Sequence, residues 1–95
     1  MEKRNLYLEK VEANLAKYNA KLALIKAEVS LVKVDMKLEY LNQVDNLERK
    51  KDDFMVKYKQ LKESGEHGWE DVKVETEKAW NELKDSIEKS ISRLK

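Results

Sequence analysis

From Leu8 onward, apolar side chains recur in steps of three and four: Leu8, Val11, Leu15, Tyr18, Leu22, Ile25, Val29, Val32, Met36. This is a heptad seam held over four repeats, the pattern of a helix that lies lengthwise against another helix. The steps then become fours, through Met36, Tyr40 and Val44. Heptad spacing resumes at Val44, Leu47, Lys51, Phe54, Tyr58 and Leu61. A phase slip of this kind locally unwinds a supercoil. Polar Asn42, Gln43, Asp45 and Asn46 sit in the same stretch. No glycine or proline lies there to force a kink, so one continuous helix over about residues 3–63 is expected.

A second stripe runs through the middle of this segment: Ala20, Leu24, Ala27, Leu31, Val34, Leu38, Leu41. At 100° per residue it lies opposite the first. A helix that is apolar on two opposite faces needs covering on both. A competing pattern overlaps it. Val32, Val34, Met36, Leu38 and Tyr40 alternate with Lys33, Asp35, Lys37 and Glu39, which is strand periodicity. No turn residues flank that run and no second strand is available to pair with it, so the helix is preferred.

The one strong interruption is Ser64-Gly65-Glu66-His67-Gly68. Gly65 is placed to end the first helix in a left-handed conformation. After the loop of residues 64–68, a second helix over about 69–94 carries Trp69, Val72, Thr76, Ala79, Trp80, Leu83, Ile87, Ile91 and Leu94 on one face. The eleven-residue spacings Trp69–Trp80–Ile91 and Val72–Leu83–Leu94 describe a nearly straight stripe. Glu70 and Asp71 in the first turn, and Arg93 and Lys95 in the last, suit the helix dipole. Trp69, Val72, Trp80, Leu83, Ile87 and Leu94 are the expected packing contacts against the first helix.

At ~1.5 Å per residue the first helix would span about 90 Å and the second about 40 Å. The short loop makes them antiparallel neighbours. The second helix then covers only half of the first, and the seam from Leu8 to Met36 stays bare within one chain. An exposed apolar seam that long favours association. The expected fold is therefore all-α: a single domain, 1–95, in which a long helix and a shorter antiparallel one form a coiled-coil hairpin that assembles into an oligomeric bundle. A homodimer is favoured, its two N-terminal arms each filling the other's gap. Another coiled-coil protein is the alternative partner. Residues 1–62 carry 14 basic and 10 acidic groups, and residues 66–95 carry 6 basic and 8 acidic, so the two helices have opposite net charge.

Composition agrees. The 95 residues include no proline, two glycines and 41% charged side chains, a helix-building mixture. The net charge of +1 is too balanced for general polyanion binding, so no nucleic-acid partner is expected. With no cysteine there is no disulfide and no thiolate chemistry. No apolar run is long enough to span a membrane or to form a signal core behind Met1-Glu2-Lys3-Arg4-Asn5, so a cytoplasmic location is the expectation.

Candidate chemistry is sparse. His67 is the single histidine and falls in the loop. Carboxylate pairs occur at Asp52-Asp53, Glu70-Asp71 and Glu75 with Glu77, but general acid–base work needs such groups in a dry pocket. Neither a Glu-x-x-His pattern nor a glycine-rich phosphate loop is present. The basic run Arg49-Lys50-Lys51 is flanked by Glu48, Asp52 and Asp53. No catalytic, cofactor-binding or metal-ligating residue is expected. Lys51 at a seam position reads either as a register-setting interruption or as a long side chain snorkelling outward. The two tryptophans on the second helix admit an alternative function at a membrane surface or in stress protection, but net negative charge on that helix works against anionic lipid.

The blocks Gly68-Trp69-Glu70-Asp71-Val72-Lys73, Glu77-Lys78-Ala79-Trp80-Asn81-Glu82-Leu83-Lys84 and Ser92-Arg93-Leu94-Lys95 resemble the C-terminal signature of small bacterial coiled-coil proteins, often described as hypothetical or associated with stress response. Lys37-Leu38-Glu39-Tyr40 fits their middle region. The chain departs from that pattern at Glu66-His67 and at Thr76. The resemblance implies a helical fold with no enzymatic activity and no cofactor, and it brings no assigned molecular role.

Overall fold

The computed structural model describes residues 2–65 and 67–94, with only the backbone of Leu94. Three helices stand where two were expected: α1 (Glu2–Val29), α2 (Val34–Glu63) and α3 (Trp69–Leu94). Among the described residues there is no strand, and the alternating run at residues 32–40 instead leads into and opens α2. The molecule measures 52 × 17 × 17 Å with a radius of gyration of 15.5 Å. A compact domain of this length would have roughly 12 Å.

The expected continuous helix over 3–63 is corrected at residues 30–33, not at the polar stretch 42–46, which is helical. The local cause is readable. Val29, Val32 and Val34 are β-branched and stiff, and Ser30 offers the backbone a competing partner. The Ser30 hydroxyl donates to Ala27 O at 2.7 Å, and Leu31 N–H donates to Glu28 O at 3.0 Å, a tighter i to i−3 closure. Lys33 is extended (φ −63°, ψ 149°) and gives α2 no side-chain cap.

Folding back lets the chain cover its own seam. Val11, Leu15, Tyr18, Leu22, Ile25 and Val29 of α1 are buried with Tyr40, Val44, Leu47, Phe54 and Tyr58 of α2 and Leu83 and Ile87 of α3. Closing a short turn costs little entropy compared with exposing those side chains. The helices run up, down and up. Arg4 Nη1 donates to Ser64 O at 2.8 Å at one end, and the Tyr18 hydroxyl donates to Leu47 O at 2.9 Å nearer the other.

The α2–α3 junction also differs in detail. Neither glycine has a positive φ. Gly65 is therefore not the left-handed terminator expected of it. Ser64 ends α2 instead, extended (φ −71°, ψ 145°). Both its N–H (3.3 Å) and its hydroxyl (2.6 Å) donate to Leu61 O, satisfying one of the orphan carbonyls of the last turn. Gly65 O then accepts from Gly68 and Trp69 N–H, each at 3.2 Å, and α3 begins.

Candidate interaction surface

The residues expected to form the self-association seam divide into two groups. Val11, Leu15, Tyr18, Leu22, Ile25 and Val29 lie in the chain's own core, while Leu8 and Val32 are half-buried beside it. Met36 is exposed. The seam is thus largely consumed within one chain, and Leu8 at its start and Val32 and Met36 beside the α1–α2 turn keep a free side.

Trp69, Leu83 and Ile87 are buried and Val72 and Trp80 are half-buried. The side chain of Leu94 lies outside the described residues. Trp69 meets Tyr7 with ring centroids 6.5 Å apart. Trp80 stands between Phe54 at 5.6 Å and Tyr18 at 6.4 Å, the latter edge-on. Lys73 Nζ sits 5.1 Å from the Tyr7 ring and 5.8 Å from Trp69, near enough for cation–π attraction. Thr76 is fully buried and donates its hydroxyl to Val72 O at 2.8 Å.

The second stripe has the opposite fate. Ala20, Leu24, Ala27, Leu31, Val34, Leu38 and Leu41 are all exposed. Exposure peaks at the corner, with Leu31 at 77%, Val34 at 82% and Leu38 at 68%. Scattered surface leucines are ordinary, but an apolar run gathered at one end of a bundle marks a contact surface. Lys33 and Lys37 border it.

Polar sites are open or structural. A groove of about 500 Å³ between α1 and α3 is lined by Tyr7, Lys10, Lys17, Tyr18, Trp80 and Lys84, among others. Burial raises the Tyr7 phenol to about 12, helped by the neighbouring Glu77, and raises Tyr18 to about 12, helped by Glu48. Burial and the Glu12 carboxylate, which accepts the Tyr58 hydroxyl at 2.7 Å, push Tyr58 higher still. These phenols stay protonated donors in the neutral range.

Asp52, Asp53, Glu70, Asp71, Glu75, Glu77 and His67 are exposed. No group of three or more His, Cys, Asp or Glu side chains is placed to hold a metal among the described residues. Lys51 is half-buried. Ion pairs join Lys26 to Glu48 and Lys57 to Glu75 across helices, all partly exposed. None of the three described helices is long and apolar enough to cross a membrane.

No family model, curated protein or solved structure matches the chain.

Proposed function

We propose that the protein is a non-enzymatic helical interaction protein whose working contact is with another copy of itself. One observation carries this reading: the uncovered apolar corner made by Leu31, Val34, Met36 and Leu38, continued by Leu24 and Leu41. Burying apolar surface is the main drive to association, and these six side chains are most of the large apolar ones left exposed among the described residues. The non-enzymatic part is supported by the setting of the ionisable groups. The carboxylate pairs are solvated, and the phenols with raised pKa hold interhelical hydrogen bonds or pack against tryptophan. A cytoplasmic setting fits the cysteine-free chain.

The alternative, a membrane-surface or stress-protective amphipathic protein, rested on Trp69 and Trp80. Both rings now have aromatic partners inside the bundle, so that reading loses its main support. Molar mass by size exclusion with light scattering, over a hundredfold range of concentration, tests the proposal. A mass rising towards two or more chains is expected. A single-chain mass throughout would sink it, and single-chain protein that floats with anionic vesicles would put the membrane reading in its place.

A further inference from the structure

We infer that the α1–α2 turn is a hinge, and that two copies pair by exchanging α1, each turn straightening so that α1 and α2 become one helix. The inference rests on the self-association reading and specifies its geometry.

Three observations lead to it. First, the apolar phase does not break where the backbone does. The steps Val29, Val32, Met36, Tyr40 continue the seam through the turn, and Ala27, Leu31, Val34, Leu38 continue the opposite stripe. Both are in register only if residues 29–36 are helical. Second, the turn is weakly enforced. It contains neither glycine nor proline, Lys33 supplies no cap, and the hydrogen bonds closing it span three residues. Straightening returns those residues to i to i−4 bonding. Third, the long-range hydrogen bonds that α1 makes are centred on the turn. Arg4 meets the carbonyls of Lys62 and Ser64, Glu12 meets Tyr58, and Tyr18 meets Leu47. Each pair is centred within about two residues of Val34.

The third observation fixes the partner. Two straightened helices laid antiparallel about a two-fold axis near Val34 remake every one of those pairs between chains. They also remake Tyr7–Trp69 and Tyr18–Trp80, because α3 stays with its own α2. Nothing in the core is lost. The gain lies at the axis, where Val32, half-buried in the closed chain, faces the partner copy's Met36, exposed in the closed chain, and the reverse. At that register Lys33 also falls opposite the partner copy's Asp35. Exchange of an identical element through a short hinge is an established route to dimers.

Val34→Pro separates the two states. Val34 is the first residue of α2, where proline is welcome, and the extended Lys33 before it already has a pre-proline conformation. In the straightened helix the same proline would clash with the Ser30 carbonyl and remove a hydrogen bond. Val34→Pro should leave the closed bundle folded and weaken dimerisation by ~100-fold or more.

The decisive measurement uses the cysteine-free background. Spin labels are placed on Ala16→Cys and Asp52→Cys, both exposed positions centred on the turn. The chain is refolded at high concentration, alone and with a tenfold excess of unlabelled protein. In the closed chain the two labels sit on neighbouring helices, roughly 20–30 Å apart. In the exchanged dimer that short distance links different chains, and within one chain the separation is roughly 54 Å along a straight helix. The expected result is a dimer whose short distance disappears on dilution with unlabelled chains. A fourfold mass with the same loss is this pair stacked through the Leu24–Leu41 face, and supports it equally. A dimer that keeps its short distance on dilution overturns the exchange while leaving self-association standing. A single-chain mass at every concentration overturns both.

Discussion

Tyr18 and Tyr58 hold α1 to α2 through their hydroxyls, and their protonation links stability to alkaline pH. Tyr7 and Tyr18 are raised to about 12 and Tyr58 is raised further, against an unfolded value of ~10. The folded chain therefore binds these protons more tightly. Their contribution is fully present below pH ~10 and is lost as pH climbs through the folded values. The melting temperature should hold flat to about pH 10 and then fall, with phenolate absorbance rising together with the loss of helix by circular dichroism. Tyr18→Phe combined with Tyr58→Phe should flatten that decline. A decline as steep as in the unmodified chain would assign it to other groups.

Tryptophan truncation separates two environments on one helix face. Trp69 is buried and Trp80 half-buried, although they share a stripe. Full burial of an aromatic ring corresponds to a truncation cost of about 3–5 kcal/mol. Trp69→Ala should therefore approach the lower end of that range. Trp80→Ala should cost less, about 2–3 kcal/mol, chiefly its contacts with Phe54 and Tyr18. Urea unfolding of the two variants measures the order. Thr76 adds a contrast. Its hydroxyl only doubles up on Val72 O, a carbonyl inside the helix. Thr76→Val should stay within about 1 kcal/mol of the parent, since the buried polar atom leaves with its bond.

At the scale of elements, the chain's all-helical class was legible from the apolar spacing and the lack of proline. The termination of α2 was legible only in place, not in mechanism. Gly65 was the obvious terminator, yet Ser64 performs that role with its own hydroxyl. Gly65 has no positive φ and empty space where a Cβ would lie. Gly65→Ala should therefore be neutral or stabilising by up to about 1 kcal/mol, through a less disordered unfolded chain. Thermal melts of that variant decide between the two terminators, because a left-handed glycine would make the change destabilising.

The turn at residues 30–33 was not legible, for a physical reason. Glycine and proline, which conventionally mark a helix end, are missing there, and the valines and Ser30 are weak signals beside an unbroken apolar phase. What bends the chain is non-local: the gain from laying Val11 to Val29 on Tyr40, Val44 and Leu47, helped by three valines and a serine. Of the seam residues that spacing singled out, Val11 to Val29 are buried, Leu8 and Val32 are half-buried and Met36 is exposed. The seam was expected to stay bare within one chain, yet α2 and α3 of the same chain cover it; a seam has the same pattern in either case.

At the scale of the whole molecule, that ambiguity becomes a choice between two shapes with nearly the same contacts. The closed chain is 52 Å long, with a Cα radius of gyration of 15.5 Å. The exchanged dimer would be built on two antiparallel helices of about 62 residues, so it would reach about 90 Å at nearly unchanged thickness. Because the core is the same in both, helix content and tryptophan environment will hardly distinguish them, whereas overall length will. The intramolecular pairing has the advantage of an effective concentration in the millimolar range, set by the short turn. Exchange wins only to the extent that the straightened turn and the Val32–Met36 contacts outweigh it. The equilibrium should therefore be steeply sensitive to residues 30–34. Small-angle scattering should show a maximum dimension near 50–60 Å at low concentration, growing towards 90 Å as concentration rises. Val34→Pro should stay short at every concentration. A compact doubling of mass, with length unchanged, would mean that closed bundles meet side by side through their exposed corners and that the hinge stays shut.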